Sequence, residues 1–374
     1  MHEDEVQAAW LILLRTPGLG PMRLRALLRR AGDIRAALDQ ARREARAAAD
    51  SRAAAWLRAP DAARLDADAA WLAAPGHHLL CCTDEVFPPQ LECMPNPPAA
   101  LFVAGDPGLL LRAQVAIVGA RNASPGGRRN AAAFARALGE CGLVVTSGLA
   151  EGIDAAAHEA ALAGSAGTLA VVGTGPDRVY PERHRKLARA IVEQGALVSE
   201  FVPGTGARPG HFPRRNRIIA GLSLGTLVVE AGMRSGSLIT ARLAADAGRE
   251  VFALPGSIHH PLARGCHRLL RDGACLVEDV GDILEPLVPL ARAQGADLAA
   301  RLARAGEPVA AVVERADDPL CGRVLEALGH DPATLDELCE RSHMAAAELS
   351  PLLLMLELEG VLASQPGGRF QRLA

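Results

Sequence analysis

The sequence predicts an α/β fold: an extended Rossmann-like, mostly parallel sheet, with an all-helical domain before it and a winged helix after it. Three observations carry this. From Val115 onward, short runs that are apolar throughout alternate with helical stretches, the pattern of strands covered on both faces and joined by βαβ crossovers. The chain up to about Leu80 reads as helix after helix. The end, from about Pro319, reads as three helices followed by a β-hairpin. A chain of 374 residues has room for more than one domain. The expected boundaries are a helical domain at 1–80, a linker and the start of the central domain at 81–114, the central domain proper at 115–290, a second linker at 291–318 and the winged helix at 319–374.

Each element follows from local chemistry. In "TPGLGPMRLRALLRRAG" a Gly-Leu-Gly turn precedes Met22, Leu24, Leu27 and Leu28 at near-helical spacing. A helix-hairpin-helix, whose turn offers N–H groups to a phosphate, and a SAM-like packing module without a ligand both fit. Trp10, Trp56 and Trp71, the only tryptophans, are assigned to this domain's core. The prolines of "FPPQLECMPNPPAALFVAGDPGLL" forbid a long helix and leave a linker with one short strand, "ALFVAG". The strands of the central sheet are placed at 115–119, 143–147, 169–173, 196–200, 226–230, 250–254 and 274–278. Beyond an Ala-rich connector, Thr334 and Glu337 stand three apart as a capping box, and Gly367-Gly368 turns the last hairpin.

Composition narrows the function classes. A net charge of −3 excludes a histone-like coat for nucleic acid and leaves a local groove as the way to hold a polyanion. Lys186 is the only lysine, so arginine carries the positive charge, an Ala/Arg bias read as compositional drift. The eight cysteines include no CxxC pair, which points to reduced thiols in place of a zinc site or a disulfide framework. No metal and no cofactor are expected. The acidic start "MHEDEVQAAW" does not read as a secretory signal, and no apolar run approaches the length of a membrane span. The expected location is the cytoplasm.

Ligands of open parallel sheets bind beyond the carboxyl ends of the strands. After the first central strand comes "GARNASPGG", with Gly119 and Arg121. After the second comes "SGLAEGIDAAAH", with Ser147, Gly148, Asp154 and His158. "GTGPDRVYPERHRK" follows the third and holds Arg185 and Lys186. "EAGMRSGSLITA" follows the fifth, with Arg234, Ser235, Gly236 and Ser237. Glycine and small hydroxyls at such exits suit phosphate. Neither GxxxxGK[ST] nor GxGxxG occurs, so neither an NTPase loop nor a dinucleotide site is indicated. Between the fourth and fifth strands, "ARPGHFPRRNRIIAGLS" reaches the same edge. It adds Arg208, His211, Arg214, Arg215 and Arg217, with Phe212 to stack on a base. Asn216 and Arg217 read as loop-bonding residues, whereas Arg121 and Arg214 read as ligand contacts. His158 reads as a hydrogen-bonding helix residue. No Ser/His/Asp constellation can be assembled, and His259, His260 and His267 lack metal spacing.

Taken together, "VAIVGARNAS", "TSGLAEGIDAAAHEAAL", "VVGTGPDRVYPERHRKLARAI", "HFPRRNRIIAGLS", "VVEAGMRSGSLITARLAADAGREVFALPGS" and "GCHRLLRDGA" resemble the DNA-processing protein A (DprA/Smf) family, from about Val115 to Val280. The resemblance implies a homodimer that binds single-stranded DNA without sequence preference and loads RecA recombinase during natural transformation. It implies no catalytic step. By motif, Arg121, Lys186 and Phe212 to Arg217 line the DNA site. Gly265 to Leu270, including Cys266, His267, Leu269 and Leu270, corresponds to the region of dimer and recombinase contacts. One departure stands out: the supposed recognition helix "MAAAELSPLLLMLELEG" has three glutamates and neither Lys nor Arg, so this winged helix is expected to touch protein, or DNA only weakly.

A second class competes. "GLSLGTLVVEAG" is similar to the glycine-rich pattern of phosphoribohydrolases that cleave the base from a nucleoside monophosphate. Glu230 would be the carboxylate beside an oxocarbenium-like centre. Ser223-Leu224 departs from that pattern ahead of Gly225-Thr226.

Overall fold

The computed structural model describes residues 2–47, 52–304, 319–329, 333–342, 344, 349, 352–353, 356, 361–365 and 369–372. It divides into two compact units, Met1–Leu298 and Ala299–Ala374.

The first unit opens with five helices: α1 (His2–Arg15), α2 (Pro21–Ala31), α3 (Ile34–Ala47), α4 (Arg52–Arg58) and α5 (Ala62–Leu72). Their apolar faces close a core of Trp10, Leu13, Leu24, Leu27, Ala37 and Leu57. Of the tryptophans only Trp10 is fully enclosed; Trp56 and Trp71 lie half-buried at the margin. The chain then enters the sheet through β1 (His77–Cys81) and β2 (Ala100–Gly105). Sequence reading misses β1, because "HHLLC" shows only three apolar residues behind two histidines.

Alternation follows: β3 (Gln114–Val118), α6 (Pro125–Glu140), β4 (Val144–Ser147), α7 (Ile153–Ala161), β5 (Thr168–Val171), α8 (Arg185–Gln194), β6 (Ala196–Ser199), α9 (His211–Leu222), β7 (Gly225–Val228), α10 (Gly236–Asp246), β8 (Glu250–Ala253), α11 (Arg264–Arg271), β9 (Cys275–Leu276) and α12 (Gly281–Arg304). The seven strands expected for the central sheet are β3 to β9, and the expected "ALFVAG" strand is β2. The nine-stranded sheet has the order β1-β2-β6-β5-β4-β3-β7-β8-β9. Only the β1–β2 and β2–β6 pairs are antiparallel. β3 to β7 are completely or almost completely buried along their length, as sheet strands covered on both sides must be. One core face packs Val118, Val144, Val171 and Val228 against Ile218 and Leu222 of α9, and the other packs Ile117, Val145 and Leu227 against Phe134 and Leu138 of α6.

The second unit holds α13 (Pro319–Leu328), β10 (Ala333–Thr334), α14 (Leu335–Ser342), β11 (Leu362–Gln365) and β12 (Arg369–Arg372), with sheet order β10-β12-β11. The capping box forms: Thr334 N–H donates to Glu337 Oε2 at 2.7 Å, and Glu337 N–H to Thr334 Oγ1 at 3.4 Å. The Gly367-Gly368 turn, most of the supposed recognition helix at 344–360 and residues 305–318 of the connector lie outside the described residues.

Candidate nucleic-acid interface

β3 and β7 are neighbours in the sheet, yet the chain leaves β3 towards β4 on one side and leaves β7 towards β8 on the other. Their following loops part, and a crevice opens beyond their carboxyl ends. A cleft of about 600 Å³ lies there. Gly119 and Arg121 come to it from the loop after β3, and Arg234, Ser235, Gly236 and Ser237 from the start of α10.

The third wall is α9. Phe212, Arg215, Asn216 and Ile219 stand at the i, i+3, i+4, i+7 positions of one helix face, and all four line the cleft. A different stripe looks away. The His211 ring stacks on Phe201 with centroids 4.2 Å apart. Arg214 lies over the same ring, 5.2 Å from its centroid, and donates to Glu200 Oε2 at 2.9 Å. Arg217 pairs with the other oxygen of the buried Glu200 and donates to the Asn96 carbonyl at 2.6 Å. Helical geometry therefore sends Arg214 and Arg217 to one carboxylate and leaves Arg121 opposite Phe212 at the cleft.

Arg215 forms the floor. Its Nη1 donates to the carbonyls of Gly148, at 2.6 Å, and Val171. Its Nε donates to Asn216 Oδ1 at 3.1 Å. A Cβ at Gly148 would stand 2.5 Å from this guanidinium, which is why a glycine is needed there. Buried Asp154 accepts from the N–H groups of Gly148 (3.1 Å) and Ala150 (3.3 Å). Burial raises the Asp154 carboxyl above the usual carboxylate range, against the pull of Arg215 and these N–H groups. Burial lowers Arg215 to about 10, with Asp154 opposing, so it stays a cation at neutral pH. Ser147 is equally enclosed and donates to the Ile117 carbonyl at 2.6 Å. Three expected DNA ligands, Ser147, Arg215 and Arg217, thus spend their donors inside the protein. The glycines and hydroxyls of the strand exits bring chain segments together as well as opening room for a ligand.

The exit after β3 is not an empty anion seat. Ser124 caps α6 by accepting from Gly127 N–H at 2.9 Å. Glu230 then accepts from the Ser124 N–H at 2.9 Å and from its hydroxyl at 2.5 Å. A carboxylate of the chain itself occupies the positive end of the helix. This also commits Glu230, the carboxylate of the phosphoribohydrolase reading, to holding the loop. The exit after β7 is open. A Cβ at Gly236 would meet nothing within 4 Å, and Ser235 and Ser237 bond each other at 2.7 Å. Exposed Arg121 and Arg234 make no ion pair among the described residues, so the cleft carries two uncompensated cations. Arg121 lies 5.6 Å from the Phe212 ring centroid.

Other expected residues lie apart. Lys186 is exposed on α8 and Arg208 is exposed before α9; neither lines this cleft. Arg208 and His211 border a neighbouring cleft of about 880 Å³ beside α5. There Arg15 pairs with the fully enclosed Asp68 at 2.5 Å and donates to the Pro203 carbonyl at 2.9 Å, tying the helical region to the loop that leads into α9. His211 is held below its ordinary value, chiefly by burial. In the expected contact region, Cys266 is a core residue and offers no surface, while His267, Leu269 and Leu270 remain partly accessible. His158 is buried, bonds Thr168 Oγ1 through Nδ1 at 2.8 Å and is lowered to about 3, first by burial. Two residues at these clefts escaped the sequence. Tyr180 could have been noticed as the only tyrosine; nothing local marked Arg15.

Comparison with known proteins agrees with this architecture. The family model for DNA recombination-mediator protein A matches residues 78–288, and that for the DprA winged helix domain matches residues 308–368. Protein Smf of Escherichia coli (strain K12) is 42 % identical over 306 residues, 81 % of this chain and 80 % of that protein. DNA processing protein DprA of Streptococcus pneumoniae is 46 % identical over 201 residues, 54 % of this chain and 71 % of that protein. The crystal structure of DprA from Streptococcus pneumoniae superposes with a TM-score of 0.66 at 36 % identity, covering 74 % of this chain and 97 % of that one. DNA processing protein A from Helicobacter pylori, whose structure is described in terms of its single-stranded DNA binding mode, superposes with a TM-score of 0.52 at 28 % identity, covering 57 % of this chain and 96 % of that one. With the central sheet, its switch-point cleft and these matches in hand, the chain belongs to the DNA recombination-mediator protein A (DprA/Smf) family.

Proposed function

We propose that the chain binds single-stranded DNA without sequence preference, at the cleft between the ends of β3 and β7, and has no catalytic step of its own. The observation that carries this is the pair Arg121 and Arg234, two exposed cations without carboxylate partners among the described residues, facing one cleft beside aromatic side chains. Such a site attracts phosphates and offers π surface to any base. The binding mode described for the Helicobacter pylori relative supports the same reading. Within it, Arg121, Arg234, Asn216, Gly119, Gly236 and Ser237 contact the strand, Phe212 backs the site, Arg208, Lys186 and His211 flank it, and Arg214, Arg215, Arg217, Ser147 and Gly148 hold the walls.

The finer roles extend this proposal: loading of RecA recombinase onto the bound strand during natural transformation, by a homodimer joined through the α11 region around His267, Leu269 and Leu270. The deciding experiment is a gel-shift titration of single against double strands, for wild type and Arg121→Ala, across a range of salt. Log affinity for single strands is expected to fall linearly with log salt, by about 0.7 per phosphate contacted. A preference for duplex, or for one sequence, contradicts the proposal. Release of free base from nucleoside monophosphates would favour the phosphoribohydrolase reading.

A further inference from the structure

Tyr180, the chain's single tyrosine, stands 48 % exposed on the loop between β5 and α8. It borders two large clefts at once. On one side is the switch-point cleft with Arg121 and Phe212. On the other is a cleft of about 930 Å³ along α8, with Arg178, Arg185 and Arg189. The ring is a crest between two arginine-bearing clefts. Asp177 and Glu182 sit beside Arg178 and Arg185 in the second cleft, which leaves Arg189 as its uncompensated cation among the described residues.

Phe212 is the stacking residue expected from the sequence, but its half-buried ring already carries three neighbours. Gly173 approaches so closely that a Cβ there would stand 3.0 Å from the ring. Arg121 lies over it at 5.6 Å, and the Tyr180 ring leans on it at 5.4 Å with a 44° tilt. Little of its π face remains for a base. We propose that Tyr180 supplies the open face on which a nucleobase stacks as a single strand crosses from one cleft into the other, with Phe212 as its backing. Phosphates on either side of that base then meet Arg121 and Arg234 in one cleft and Arg189 in the other. Every base has a π face, so the contact serves any sequence. This inference rests on the single-strand reading above and refines it.

Since the chain has one tyrosine, biosynthetic 3-fluorotyrosine labels Tyr180 alone. Adding oligo(dT) to the full chain should move the single fluorine resonance, whereas a sugar-phosphate strand without bases should leave it in place. In gel shifts, Tyr180→Ala should weaken oligo(dT) binding roughly tenfold, in the range of one lost stacking contact, with unchanged affinity for the abasic strand and an unchanged salt slope. Tyr180→Phe should bind like wild type. Equal oligo(dT) affinity of Tyr180→Ala and wild type, or an equal loss on the abasic strand, overturns the proposal. If wild type binds neither strand, the single-strand reading itself falls, and this proposal with it.

Discussion

Arg121 and Arg217 come from the same sheet edge and do opposite things. Arg121 is exposed at the cleft with only an aromatic ring beneath it, whereas Arg217 is enclosed against Glu200 and the Asn96 carbonyl. Their substitutions should separate accordingly. Arg121→Ala is expected to weaken all single strands about equally and to reduce the salt slope by about 0.7, with the melting temperature unchanged. Arg217→Ala is expected to cost about 3 kcal/mol in urea unfolding, because it strips a buried carboxylate of one of its two arginines. His158 sets a pH dependence. Its pKa is about 3 in the fold against an ordinary 6.5, so between those values the unfolded chain takes a proton that the fold refuses. The stability it contributes is complete above pH 6.5 and is lost progressively as pH falls towards 3, by up to about 1.4 kcal/mol per pH unit. Thermal unfolding of His158→Gln from pH 7 to pH 4 should show a shallower decline than wild type.

Among the elements, α9 is where two functions share one helix. Its face at Phe212, Arg215, Asn216 and Ile219 forms a wall of the cleft, and its stripe of His211, Arg214 and Arg217 grips Glu200 and Phe201. The expectation from the sequence divides the segment otherwise, grouping Asn216 with Arg217 as loop-bonding and taking Arg214 as a ligand contact. The 3.6-residue period of the helix instead puts Asn216 on the cleft face and Arg214 with Arg217 on the other. What the period does not say is which face meets the ligand. The loop before α9 is held from a distance: Arg15 of α1 pairs with Asp68 of α5 and donates to Pro203. Arg15→Ala leaves the fully enclosed Asp68 carboxylate without its cation and is expected to cost about 3–5 kcal/mol. Hydrogen exchange should then quicken across residues 200–210 before other parts of the sheet respond. This latch had no local signature, because its partners lie 53 and 188 positions away from Arg15.

At the scale of the whole molecule, the cleft belongs entirely to the unit Met1–Leu298. A chain ending at Asp318 is therefore expected to retain its single-strand affinity in gel shifts; a large loss would assign the winged helix a DNA contact that its acid-rich sequence argues against. The sequence by itself determined the class of fold, since short runs apolar throughout that alternate with helical stretches suit strands covered on both sides, and it determined which strand exits carry glycine and arginine. The α/β order, eight of the nine sheet strands and the Thr334–Glu337 capping box are all readable because they depend on neighbours a few residues apart. Tertiary structure alone decided which arginines stay free. Arg214, Arg215 and Arg217 look alike in the chain, and only the arrival of Glu200, Gly148 and Asn96 from other segments removes them from solvent or pairs them. A charge is neutralised by what lies within a few ångströms of it, and in a doubly wound sheet that neighbour is set by the topology rather than by adjacency along the chain.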